Sequence, residues 1–167
     1  MAIYPIRVYG DPVLNTPTQP IAEFDDRLQK LIDDMIETMY DAPGVGLAAP
    51  QIGVNKRLFV YDAHDEIGPR AVINAEIVET DGEFVYDEGC LSVPGIFFGI
   101  TRANRVLVRG LDRHGDPIEI EADEFHGRIL QHEISHLDGK LLLSAVDKNQ
   151  RKEAMRVLRE RALGSAK

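Results

Sequence analysis

Gln131-His132-Glu133-Ile134-Ser135-His136 is the stretch from which this chain is best read. In an α-helix, residues four apart lie on one face, about 6 Å from each other. His132 and His136 can therefore offer two imidazoles to one tetrahedral cation, with the helix holding both. Glu133 projects beside the first imidazole. There a carboxylate can take a proton from a water on the ion and return it to a leaving group. Two of only five histidines occupy this pattern. Residues 127–137 are apolar enough to be buried, and a buried imidazole needs a partner. Motif and context together favour a metal-dependent hydrolase over a solvated face carrying two histidines by chance.

A catalytic site of this kind wants a third protein ligand and an open fourth position. Downstream the candidates are Asp138, Asp147, Glu153 and Glu160. Asp138 is too close on the same helix to complete a tetrahedron, and the others lie near or within a cationic tail. Upstream, Cys90 sits in Asp87-Glu88-Gly89-Cys90-Leu91-Ser92, read as a polar break between strands. A lone cysteine is more often an inert core residue. Beside a two-histidine site lacking a ligand, the balance turns toward ligation.

Working outward, residues 1–23 carry Pro5, Pro12, Pro17 and Pro20 and should run as an extended arm with turns. Asp25 can cap a helix through about Tyr40, with Leu28, Leu31, Ile32, Met35, Ile36 and Met39 as its apolar stripe. Strands are expected at 57–61, 71–79, 83–86, 106–111 and 117–121, with Asp112-Arg113-His114-Gly115 turning between the last two. The motif helix should begin near Asp123 and end at Asp138, with Gly139 as a left-handed terminator. Asp147 with Gln150 resembles a capping box and opens a third helix, about 147–163. The expected fold class is α+β: mostly antiparallel sheets around the central motif helix, with an N-terminal and a C-terminal helix.

The 167 residues fit one domain spanning 1–167, at 44% hydrophobic and 28% charged content. No apolar run is long enough to span a bilayer, and the first residues lack an export signal. A single cysteine excludes an internal disulfide framework and suits a reducing compartment, so the cytoplasm is expected. The net charge of −9 argues against a protein that coats nucleic acid over its whole surface, and no DNA partner is expected. The balance is uneven. Residues 148–167 hold seven basic residues against Glu153 and Glu160, a tail of +5 on a body of −14.

Gly44-Val45-Gly46-Leu47-Ala48-Ala49-Pro50-Gln51 is the third unusual stretch. Small residues allow another backbone to approach closely. No lysine is followed by Ser or Thr, so it is not a phosphate-binding loop. It reads either as a tight connection after the first helix or as a wall where an extended peptide pairs, with Gln51 as an amide donor.

These three segments, in this order, resemble those of the peptide deformylases, and the resemblance runs from Val13-Leu14 to the closing helix. It implies Cys90, His132 and His136 as ligands of one divalent ion, commonly Fe²⁺ in the cell, with Zn²⁺, Ni²⁺ or Co²⁺ also accepted. It implies a substrate: the formyl group of formylmethionine at the start of a newly made polypeptide, released as formate. Glu133 would shuttle the proton, and the Gln51 amide with the Leu91 backbone N–H would stabilise the oxyanion. Val45, Gly46, Tyr86, Glu88, Phe125 and Ile129 would surround the methionine side chain or the adjoining backbone.

The sequence departs from the family pattern at two places. Ser135 stands where an acidic residue or Asn is common, which implies a changed hydrogen bond rather than lost activity. Some members carry an arginine after the cysteine motif to hold the substrate backbone. Here the stretch is Gly95-Ile96-Phe97-Phe98-Gly99-Ile100, and the next arginine is Arg102. In the C-terminal helix, Met155, Leu158 and Ala162 share an apolar side, beside a cationic line of Lys152, Arg156 and Arg159. A solvated docked helix is one reading of it; contact with ribosomal RNA is the other. The rival functions are a zinc endopeptidase with a downstream third ligand and a non-catalytic metal-binding module.

Overall fold

Asp25 caps the first helix, its carboxylate accepting from Leu28 N–H at 3.0 Å. In this computed structural model, which describes residues 2–140, 142 and 146–165, that helix is α1 (Asp26–Asp41). Its stripe is buried at Leu28, Ile32, Met35 and Met39, with Leu31 and Ile36 packed at the margin.

Five antiparallel strands form the main sheet in the order β1 (Gly46–Ala48), β2 (Leu58–Tyr61), β3 (Arg70–Asp81), β6 (Arg105–Leu111) and β7 (Pro117–Asp123). Between β3 and β6 the chain makes a separate hairpin, β4 (Phe84–Cys90) and β5 (Val93–Arg102). α2 (Glu124–Leu137) and α3 (Lys148–Ser165) follow. The architecture is the expected α+β.

β2 shows how the sheet is held. All four residues are buried, and they alternate between two cores. Phe59 and Tyr61 pack with Ile129, Leu130, Ile134 and Leu137 of α2, whereas Leu58 and Val60 pack with α1. Each such side chain, fully buried, contributes about 1.5–3 kcal/mol. The sheet is thus clamped between the two helices, and α2 lies fixed against it.

Three local readings change. Residues 46–48, expected as part of a loop, form the edge strand β1. No strand is expected over 93–102, because Pro94, Gly95 and Gly99 break its pattern; β5 forms by pairing with β4 at Val93 and along 97–102, with Pro94 and Gly95 set in a register shift. Cys90, expected in a break between strands, is the last residue of β4, and Leu91-Ser92 is the short turn that follows.

The helix ends behave as read. Gly139 takes φ +75° after α2. Asp147 accepts from Gln150 N–H at 2.7 Å while the Gln150 side chain accepts from Asp147 N–H at 3.3 Å. Ala154, Met155 and Leu158 of α3 pack on Phe98, Ile100 and Leu142. The side chain of Ala162, expected on that apolar side, and Lys167 of the basic tail lie outside the described residues. Among the described residues, no helix is long and apolar enough to cross a membrane.

Candidate active site

α2 carries His132, Glu133 and His136 on one turn, and the β4–β5 hairpin brings Cys90 to them across the sequence. Cys90 Sγ lies 3.2 Å from His136 Nε2, which lies 3.2 Å from His132 Nε2. All three donors fall within 4.8 Å of one another. Tetrahedral coordination at ordinary Zn–S and Zn–N lengths requires donor separations of about 3.3–3.6 Å. The set therefore fits one cation. Downstream carboxylates are engaged elsewhere: Asp138 with Arg57, Asp147 at the α3 cap, and Glu153 and Glu160 with Arg156.

The cluster is electrostatically coupled. Burial would push the Cys90 thiol up, but His136 and His132 outweigh it and hold it well below its ordinary value. Burial would lower His132, yet Cys90 and Glu88 raise it to about 10. A thiolate is the form that binds metal.

Glu88 stands behind His132, whose Nδ1–H donates to Glu88 Oε1 at 2.5 Å. Arg102 grips the same carboxylate through Nε at 2.8 Å and Nη2 at 2.6 Å, and Arg128 Nη2 approaches at 2.7 Å. Burial opposes its charge, but Arg102 and His132 hold Glu88 down to about 2. The bond at Nδ1 leaves Nε2 as the outward nitrogen and sets the ring's orientation. Arg128 also donates to the carbonyls of Tyr86 and Ile100, tying α2 to the hairpin. Neither arginine's role was visible in advance. The available signal was helical spacing, since Arg128 lies one turn before His132 on the same face.

Glu133 is 3% exposed, with Oε1 3.8 Å from His132 Nε2. Burial raises its carboxyl above the ordinary range, against the pull of His132 and His136. Its Oε2 has no hydrogen-bond partner among the described residues. Gln51, on a short helical turn after β1, is also buried. Ala48 N–H donates to its Oε1 at 2.9 Å, so the amide nitrogen faces Ser92 Oγ at 3.2 Å and Cys90 Sγ at 3.7 Å.

A cleft of about 610 Å³ opens on this cluster. Val45, Gly46, Tyr86, Glu88, Phe125 and Ile129 all line it, as do Gln51, Cys90, Leu91, His132 and Glu133. His136 is buried and does not line the cleft. Tyr86 and Phe125 are exposed, their rings 6.1 Å apart, whereas Ile129 is buried. Ser135 bonds back to its own helix, Oγ to the Gln131 carbonyl at 2.9 Å. Arg102 is committed to Glu88.

An α+β frame that sets two helical imidazoles and a cysteine sulfur beside a buried carboxyl group, at the floor of an apolar cleft, has the site of a metal-dependent hydrolase. A model of the polypeptide deformylase family matches residues 3–152. Peptide deformylase of Acidothermus cellulolyticus is 48% identical over 160 residues, 96% of this chain and 88% of that protein. That of Thermodesulfovibrio yellowstonii is 51% identical over 149 residues, 87% and 90% of the two chains. A crystal structure of a peptide deformylase from Legionella pneumophila matches with TM-score 0.93 and 44% identity over 99% of both chains. One from Synechococcus elongatus, in complex with actinonin, matches with TM-score 0.87 and 38% identity, covering 92% of this chain and 86% of that one. The chain belongs to the polypeptide deformylase family, metallohydrolases that remove the formyl group from N-formylmethionyl peptides.

Proposed function

We propose that Glu133 is the proton-transfer group of this deformylase and that Cys90, His132 and His136 hold its divalent ion. The observation that carries this reading is the buried Glu133 carboxylate beside three donors spaced for one cation. When bound, the ion supplies Lewis acidity, making a water more acidic and polarising the formyl carbonyl. Glu133, its proton affinity raised by burial, takes the proton of the attacking water. It returns that proton to the amine nitrogen as the formamide C–N bond breaks, leaving formate and a free amino terminus.

The Gln51 amide and the Leu91 backbone N–H are assigned to the developing oxyanion. The bond from Ala48 to Gln51 supports this by presenting the amide nitrogen toward Cys90. Val45, Gly46, Tyr86, Phe125 and Ile129 are assigned to the methionine side chain or the adjoining backbone. Glu88, which lines the same cleft, acts through His132.

The ion proposed for the cell is Fe²⁺; the thiolate and imidazole donors also accept Zn²⁺, Ni²⁺ or Co²⁺. The whole chain, 1–167, is proposed to work as one catalytic unit in the cytoplasm, where Cys90 stays reduced. Ribosome contact is proposed for the basic face of α3. Arg156 contributes less to that face than its position implies, being paired with Glu153 and Glu160. Deleting residues from Lys148 onward should weaken salt-dependent ribosome binding, and unchanged binding would remove that part of the proposal.

The central test is to purify the protein anaerobically, measure its bound metal, and follow formate release from a formyl-Met peptide. Glu133→Ala should retain the ion and lose turnover, while Cys90→Ala should lose the ion. Absence of formate from the iron-loaded wild type would overturn the reading.

A further inference from the structure

The family match ends at residue 152, so it assigns nothing to the outer turns of α3. Those turns touch the wall of the cleft. Arg161 Nη1 donates to the carbonyl of Pro94, and Pro94, Gly95, Ile96 and Phe97 line the cleft. Gly95 has φ +73°, and Arg161 Nη2 lies 3.1 Å from the point a Cβ there would occupy. The guanidinium thus rests on a backbone surface that a side chain would obstruct, at a left-handed position where L residues are strained.

β5 alternates in the same sense. Phe98 and Ile100 pack under Ala154, Met155 and Leu158, while Phe97 is 68% exposed and lies on its cross-strand partner Gly89. One face of β5 is therefore the seat of α3, while Pro94, Gly95, Ile96 and Phe97 at its start line the cleft. Cys90 belongs to the same α3-contacting cluster. β4 and β5 form a two-stranded ribbon outside the main sheet, a form that has little rigidity of its own, and residues 94–96 fall in its register shift.

We propose that Arg161 is a positioning residue that pins the Pro94–Gly95 backbone, and with it the hairpin wall along which a substrate runs beyond its first residues. This rests on the deformylase reading above. Arg161 touches no reacting group. Its effect falls on binding of the extended peptide, because Glu133 and both histidines stand on α2, packed against the main sheet, and Cys90 pairs with Val93, outside the Pro94–Gly95 backbone that Arg161 holds.

The test compares formyl-Met-Ala with formyl-Met-Ala-Ser on metal-loaded full-length protein. Arg161→Ala should raise KM for the tripeptide about three- to tenfold, the scale of one lost hydrogen bond, with kcat unchanged. The dipeptide should be nearly unaffected, and Arg161→Lys should restore most of the tripeptide KM. Arg27→Ala, on α1, serves as the charge-matched control and should behave as wild type. Thermal melts of each variant establish that it is folded, and Arg161→Gln provides a second loss of charge with more of the side chain kept. An unchanged tripeptide KM overturns the proposal, as does an equal fall of kcat on both peptides. A wild type that releases no formate defeats the deformylase reading instead, so the two failures are distinct.

Discussion

A Cβ placed on Gly46 would fall 2.9 Å from Oε1 of Glu133 and 3.0 Å from its Cδ and Cγ. The edge strand and the motif helix meet at this point, and the absence of a side chain on the strand sets where the carboxylate rests. Gly46→Ala should therefore displace Glu133 while leaving the sheet paired. A displacement on the order of 1 Å at a reacting group lowers turnover by about 100-fold. Formate-release kcat should fall on that scale with metal content unchanged; a fully active Gly46→Ala enzyme would contradict the assigned role of Glu133.

Removing charge behind His132 should act through the ion. Glu88→Gln leaves Arg102 and Arg128 facing a neutral amide in a buried site. Breaking a buried pair from one side costs about 3–5 kcal/mol. Loss of the carboxylate behind a histidine ligand weakens metal affinity by about 10–100-fold. Urea denaturation and metal content after chelator dialysis should both register the change.

Gln51→Ala separates oxyanion stabilisation from metal binding. Loss of one such donor lowers kcat by about 10²–10³-fold. Bound metal should stay at the wild-type level, since Gln51 is outside the set of three donors. A large loss of metal in this variant would reassign Gln51 to holding Cys90 in place.

Acid stability should report on the N-terminal arm. Asp34 is buried, accepting from Lys30 at 2.7 Å and from Ala2 N–H at 2.8 Å. The Lys30 hydrogen bond lowers its pKa below the ordinary 3.8, with burial opposing and the Ala2 N–H assisting. A depressed folded-state pKa means this stabilisation is complete above the unfolded value and is lost as pH falls through the folded one. Between pH 5 and pH 2, wild-type stability should decline more steeply than that of Asp34→Asn, which starts lower at neutral pH. Parallel curves from urea titrations at each pH would show that Asp34 contributes nothing to the acid limb.

What the sequence by itself determined is what one helix or one turn encodes. The four-residue spacing of His132 and His136, with Glu133 between them, needs only helical geometry, and the stripe of α1 and the Asp147–Gln150 cap are equally local. The third ligand was a narrower inference, since a lone cysteine has no periodicity to read. Only the tertiary structure decided that β4 carries Cys90 within 3.2 Å of a histidine 46 positions later. It also decided that Arg102 and Arg128 converge on Glu88, that Gly46 abuts Glu133, and that residues 93–102 form a strand against β4 with Pro94 and Gly95 set in a register shift. These relationships join segments distant along the chain. Their geometry follows from how α2, the sheet and the hairpin pack, which local propensity and charge pattern do not specify.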